Sequence, residues 1–247
     1  MTHPDEFSQI QMRYFEAADE RRFFHQTAHP YYSMTERTLL DGVQPQAGQR
    51  LLEVGCGEGG NLFLLRPGET QCIGIDLFWN KLIFAKNHLP RCRFICSNAD
   101  RLPFSDESFD LVLCRDVLHH LPAKEPTLRE ISRVCRPGGK IVIIEPNGRN
   151  PVMRVQPLLV RAEAGIRQNS PRVLQQLFSR EIGPFPATLR FKQPLPLFRM
   201  ILHYRYGFPQ LGRWRGVHKL FDAMNLLASK LVPESRWAYL VFEIEKK

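Results

Sequence analysis

The sequence predicts an α/β fold: an open, doubly wound, mostly parallel sheet with a helical N-terminal cover and a C-terminal helical lid insertion. Three observations carry that expectation. From residue 50 onward, short apolar runs bounded by turn residues alternate with helix-length amphipathic segments, the pattern of βαβ units. The first run ends in a glycine-dense turn, where the backbone can take positive φ and a ligand can approach it closely. The chain of 247 residues is 43% hydrophobic and 24% charged, so it can bury a full core without disulfide staples.

Taken in order, residues 8–43 read as helical, in two pieces broken near His29-Pro30, because proline disfavours a helical residue before it. Strand runs follow at 51–54, 72–75, 93–96, 109–114 and 140–144. Helices are expected from near Gly60, over 79–88 and over 124–134. Right-handed crossovers then place ligands beyond the carboxyl ends of the strands, where strand order reverses. Past residue 150, prolines at 151, 157, 171, 184, 186, 194, 196, 209 and 233 cut the chain into short pieces. Residues 213–232 still read as one amphipathic helix, with Val217, Leu220, Phe221, Met224, Leu227 and Leu231 in a single stripe. Residues 237–244 read as a late strand of the same sheet. The expected organisation is therefore a cap (1–45), a binding core (46–150), a basic, aromatic-rich insertion framing an acceptor (151–236) and a final core strand (237–247).

Charge is divided unevenly along the chain. Residues 1–150 carry 18 Lys/Arg against 19 Asp/Glu, whereas residues 151–247 carry 16 against 6, so the net +9 resides in the second part. Such a segment suits an anionic partner (a membrane surface, an acidic small molecule or nucleic acid) or a solvated basic face with no partner. The six cysteines form no C-x-x-C pair and have no His-rich companion segment, so reduced structural thiols are expected and no metal site. No apolar run reaches the roughly 18 residues of a membrane span, and the N-terminus has no apolar h-region. A soluble, cytoplasmic protein is the expectation.

The glycine turn, Glu53-Val54-Gly55-Cys56-Gly57-Glu58-Gly59-Gly60, is ambiguous alone. Gly55, Gly57 and Gly60 satisfy the G-x-G-x-x-G of a dinucleotide site. The second run ends in Asp76, 21 residues after Gly55, where either cofactor class places a carboxylate on ribose hydroxyls. Glu53 separates the two classes. An acid two residues before the first glycine repels phosphate but can support a loop holding an ammonium group. With residues 53, 55, 57 and 59 in place, the run resembles motif I of class I S-adenosylmethionine-dependent methyltransferases. Ile73-Gly74-Ile75-Asp76, Asn98-Ala99-Asp100, Leu102-Pro103-Phe104, Glu107-Ser108-Phe109-Asp110-Leu111-Val112 and Arg136-Pro137-Gly138-Gly139-Lys140 resemble the family's later segments in order. The likeness covers roughly residues 45–147 and is strongest to the ubiquinone- and menaquinone-biosynthesis (type 11) group.

This resemblance implies a Rossmann-like seven-stranded sheet, with S-adenosylmethionine as cofactor and S-adenosylhomocysteine as product. It places Glu53, Gly55, Cys56, Gly57 and Gly59 at the cofactor loop, Asp76 on the ribose and Leu77 or Phe78 beside the adenine. Asn98, Ala99 and Asp100 would meet the adenine edge, Arg115 would offer its backbone, and Gly138-Gly139 would be a turn before the fifth strand. Methyl transfer from a sulfonium needs alignment above all, and a base only when the acceptor carries a proton. Asp116, His119, Glu145, Tyr31, Tyr32, His203 and Tyr204 are base candidates by position alone, and none is assigned. The adjacent His119 and His120 read first as packing residues.

The expected acceptor is a small lipophilic molecule of quinone, lipid or polyketide type. The mixed apolar and cationic residues 195–232 also suit peripheral contact with an anionic membrane. Nucleic-acid methylation is the alternative, against which Cys114-Arg115-Asp116-Val117 stands where an Asn/Asp-Pro-Pro-aromatic motif belongs. A non-catalytic or NAD(P)-binding module on the same architecture is the other.

Overall fold

β1 (Arg50–Val54), β2 (Gln71–Asp76), β3 (Arg93–Cys96), β4 (Phe109–Arg115), β5 (Cys135–Pro146), β6 (Ala187–Lys192) and β7 (Tyr239–Glu245) form one sheet in the order β3-β2-β1-β4-β5-β7-β6. This computed structural model describes residues 6–16, 19–66, 68 and 70–247. The first five strands run parallel, and β7 and β6 add an antiparallel edge. Strand order reverses between β1 and β4, which opens a crevice above their carboxyl ends.

Period-2 alternation sends neighbouring strand residues to opposite cores, and both are buried, which is why the runs read as continuously apolar. Leu52, Val54, Val112, Ile141 and Ile143 meet Leu128 and Ile131 of α6 (Glu125–Val134) on one face. Leu51, Leu113, Val142 and Ile144 meet Leu39 and Leu62 on the other. The helix over Trp79–His88 (α5) and the short helix Gly60–Leu65 (α4) begin where the sequence places them.

Several elements differ from expectation. Among the described residues the N-terminal cover holds three helices, α1 (Glu6–Phe15), α2 (Glu20–Ala28) and α3 (Pro30–Leu39). His29 breaks the chain as proline dictates, and its Nδ1 caps α3 by accepting from the Tyr32 amide at 3.1 Å. The second break comes from Asp19, whose carboxylate caps α2 by accepting from the amides of Arg21 and Arg22. Residues 1–5, 17 and 18 of the expected cap lie outside the described residues, as do 67 and 69.

The turn expected at residues 136–139 is a bulge inside a longer β5: Phe109 pairs with Cys135 and Leu111 with Lys140. Residues 151–236 are also more than a lid. α7 (Pro151–Leu159) is followed by a 3-10 segment (Arg161–Gln168) and by α8 (Pro171–Glu181), whose Leu174 and Phe178 pack into the sheet core. β6 then pairs with β7, its short, half-exposed run hidden in sequence between prolines.

After α9 (Leu197–Ile201) comes α10 (Arg215–Leu231), whose apolar stripe is split. Phe221 is buried and Val217 and Met224 pack with it on Tyr31, Phe198 and Leu202, whereas Leu220, Leu227 and Leu231 are 57%, 60% and 71% exposed. All six cysteines are free; Cys96 is exposed, so it is not the small core hydrophobe its strand position suggested. Among the described residues no helix is long and apolar enough to cross a membrane.

Candidate active site

The floor of the crevice is built by backbone geometry. Gly55 and Gly57 have φ of +74° and +52°, and the amides of Gly55 and Cys56 both donate to the Ile75 carbonyl. A Cβ on Gly55 would lie 2.3 Å from Val117, so no other residue fits there. Asp76, at the end of β2, accepts from the Gly57 amide at 2.8 Å and the Phe78 amide at 3.0 Å. One carboxylate therefore sets both ligand-facing loops while keeping lone pairs for a ligand.

A cavity of about 520 Å³ opens over this floor. Gly55, Cys56, Gly57, Asp76, Leu77, Asn98, Ala99, Asp100 and Arg115 all line it, so the structure brings nine of the anticipated residues together. Asn98 and Asp100 stabilise their own loop: the Asp100 amide donates to Asn98 Oδ1, and Thr127 donates to Asp100 Oδ1. The other two anticipated residues are placed elsewhere. Gly59 starts α4 at φ +80° and packs on Leu89 and Ala85, while Gly60 takes the wall position.

Glu53 lies fully buried beneath the loop, accepting from Asn61 Nδ2 at 2.6 Å, with its Oε2 unpartnered among the described residues. Burial pushes its carboxyl up to about 8, only partly offset by the Asn61 hydrogen bond and Arg115, so it holds a proton at neutral pH. Its place is that of a brace under α4, not a charge facing the ligand.

Arg115 lines the cavity at the end of β4, and its side chain has partners of its own. Its side chain is buried, pairs with Glu36 and Asp116, and donates to Asn61 Oδ1 at 2.9 Å. Glu36 comes from α3 and also pairs with Arg199. Burial alone would raise the Glu36 carboxyl, but the two guanidinium groups outweigh it and hold it below the ordinary range. This buried triad links the sheet to the roof.

The roof is made by α1–α3 and residues 199–204. Arg22 of α2 pairs with Glu58 of the glycine loop, whose Oε1 also accepts from the Asp19 amide, and Arg205 pairs with Asp19. Under the roof, Tyr14, His25, Tyr32, His203, Tyr204 and Tyr239 form an aromatic chamber continuous with the floor. His25 is neutral because burial drives it down to about 3, and its Nε2 has no partner among the described residues.

Of the base candidates, Glu145 is excluded by its bonds: it accepts from the amides of Val117 and Leu118, from His119 Nδ1 and from Asn169. His119 donates from both ring nitrogens, to Glu145 at 2.8 Å and Glu163 at 3.1 Å. Burial opposes its charge, but the flanking carboxylates prevail and raise it to about 10, so it is a fixed imidazolium. His120 is the opposite case. Its Nδ1 donates to the Ala162 carbonyl at 3.2 Å, which leaves Nε2 as an acceptor, and burial beside the His119 cation keeps the ring neutral. Tyr31 is buried away from the cavity and donates to Asp222, whereas Asp116, Tyr32, His203 and Tyr204 line it.

Ligand atoms of His119, His120 and Glu163 lie within 4.8 Å of one another, the one group among the described residues spaced for a metal ion. His119 has no lone pair free for it while both carboxylates hold it.

Sequence reasoning missed Arg22, His25, Glu36, Glu58, Lys81, Glu163 and Arg199 as cavity residues. The expected helical cover over residues 8–43 and the cationic, aromatic character of residues 195–206 were the signals toward them.

The fold is one that comparison with known proteins bears out. A methyltransferase-domain family model matches residues 52–143. A probable phthiotriol/phenolphthiotriol dimycocerosates methyltransferase 2 of Mycobacterium ulcerans is 33% identical over 158 residues, 62% of this chain and 60% of that one. Among solved structures, phosphoethanolamine N-methyltransferase 2 of Haemonchus contortus, in complex with S-adenosyl-L-methionine, superposes with a TM-score of 0.68 at 17% identity, over 98% of this chain and 60% of that one. Geranyl diphosphate C-methyltransferase of Streptomyces coelicolor gives 0.65 at 16% identity, over all of both chains. Residues 52–143 thus match a methyltransferase domain, and the chain shares its fold with solved methyltransferases. It spans about half the length of the curated relatives it matches, from 60% down to 44% for the first three.

Proposed function

We propose that the protein transfers a methyl group from S-adenosylmethionine to a small lipophilic acceptor. The observation that supports it is the single cavity in which the glycine floor, Asp76 and the residue 98–100 loop meet an aromatic chamber. The residues fit the cofactor: side-chain-free backbone at Gly55 and Gly57, a carboxylate at Asp76 and a partly apolar slot at Leu77 and Ala99. Glu53 and Gly59 serve it indirectly, by bracing the loop. The cofactor, when bound, supplies a methyl group activated on a sulfonium. The chain holds donor and acceptor in line and excludes water beneath the roof. Where the acceptor carries a proton, Asp116, Tyr32, His203 and Tyr204 line the cavity as candidates to take it, and none is assigned.

The lipophilic reading draws on the chamber's rings and on relatives named for phthiotriol dimycocerosates and geranyl diphosphate. The same reading extends to peripheral contact with an anionic membrane surface. Leu220, Leu226, Leu227, Leu231, Phe208 and Trp214 are exposed beside exposed Arg213, Arg215, Lys219 and Lys230. Nucleic acid is disfavoured as acceptor, because Arg22, Arg199 and Arg205 around the cavity are already paired with acids.

The test is isotopically labelled methyl transfer from S-adenosylmethionine into a lipid extract, read by mass spectrometry. Labelled lipophilic product is expected; label appearing only in RNA or DNA, offered in parallel, would overturn the acceptor class.

A further inference from the structure

Lys81 has no part in the site as built above, yet it stands on the cavity wall. It lies in the first turn of α5, five residues after Asp76, and is only 3% exposed. Among the described residues no hydrogen bond or ion pair engages its Nζ, which rests over the rings of Phe15 at 4.6 Å and Phe78 at 5.2 Å. Burying an ammonium without an acceptor is costly, and a methionine or leucine would fill the same space without that cost. The folded protein carries this unpartnered cation at the one place where a ligand can reach it.

We propose that Lys81 is a cofactor-binding residue that donates a hydrogen bond to a ribose hydroxyl oxygen of the bound nucleoside while Asp76 accepts from the ribose hydroxyl hydrogens. This rests on the methyltransferase reading and deepens it. A ribose diol offers hydrogens and lone pairs together, so one residue that only accepts and one that only donates are its complement. An anionic ligand group is the poorer match, because Asp76 and Glu58 flank the same space and would repel it. The groups facing the ammonium are Arg22 from α2, Glu58 and Cys56 from the glycine loop and Asp76 from β2. Burial, with Arg22 adding to it, brings the amine down to about 8.

The test uses the full chain, Lys81→Met and Lys81→Arg, with calorimetry against S-adenosylhomocysteine and 5′-methylthioadenosine. Lys81→Met should bind both about 10-fold or more weakly, the loss expected for a hydrogen bond from a charged donor. Lys81→Arg should recover part of that loss. Without ligand, Lys81→Met should melt at the same or a higher temperature, because it removes a buried charge. Methylthioadenosine affinity of the wild type should fall from pH 7 to 9.5 as the amine loses its proton, and that of Lys81→Met should not follow.

Unchanged affinity in Lys81→Met, a loss confined to S-adenosylhomocysteine, or a lower melting point of the ligand-free variant would overturn the assignment. If the wild type binds neither nucleoside, the methyltransferase reading itself fails, an outcome distinct from any difference between variants.

Discussion

The floor and the roof of the cavity are held by different physics. The floor depends on neighbours in sequence: Gly55 and Gly57 at positive φ, and Asp76 bonded to two amides within 19 residues of it. The roof is assembled from pairs far apart in the chain: Glu36 with Arg199, Asp19 with Arg205, and Tyr31 with Asp222. The acids of the first half meet the surplus cations of the second. Part of the basic excess is thus internal glue, while Arg213, Arg215, Lys219 and Lys230 stay exposed. A floor of this kind can be shared by many acceptors, while the roof is where this chain sets its own.

The largest effect should come from breaking that glue. Glu36→Ala leaves Arg115 and Arg199 buried without their common carboxylate, and should lower unfolding free energy by about 3–5 kcal/mol in urea titration. A loss under about 1 kcal/mol would mean that the roof does not depend on the triad.

On the floor, Asp76→Ala should weaken S-adenosylhomocysteine binding by about 1.5–3 kcal/mol, the range for hydrogen bonds to a charged group. Unchanged binding in calorimetry would show the ribose site to be elsewhere.

The junction of the two regions should reveal itself in pH. His119 is raised from 6.5 to about 10, so its contribution to stability is full below about 6.5 and is lost as pH rises toward 10. Glu163 is lowered from 4.5 to about 2, so its contribution is full above about 4.5 and is lost as pH falls toward 2. The stability gap between wild type and His119→Gln should therefore be widest between about pH 4.5 and 6.5 and narrow by pH 10; a gap constant across that range would mean that His119 is not the imidazolium described.

The smallest effect on folding is expected at the exposed face of α10. Leu227→Ser should change stability by less than about 0.5 kcal/mol, yet reduce sedimentation with anionic vesicles. No pelleting of the wild type would remove the membrane proposal.

Legibility in the sequence divides along the same line. Parallel strands announce themselves by short apolar runs, and the cofactor loops by glycine and acid spacing, because each feature is local. Glu53 was legible as a loop support, but its charge was not, since that depends on burial beneath Asn61. β6 escaped because an edge strand exposed on one side has little apolar signal between Pro186 and Pro194. The α10 stripe was visible, but not that only Phe221, Val217 and Met224 would find partners on Tyr31 and Phe198, from segments tens to nearly two hundred residues away. His119 and His120 sit side by side in sequence, and only Glu145, Glu163 and the Ala162 carbonyl make one a cation and the other neutral.

Calorimetric titration of the full chain with S-adenosylhomocysteine, run beside NADPH, tests most directly whether the crevice between β1 and β4 holds a sulfur nucleoside. Saturable 1:1 binding of S-adenosylhomocysteine, weakened by Asp76→Ala, is the predicted result; saturable NADPH binding with no heat from S-adenosylhomocysteine would contradict it.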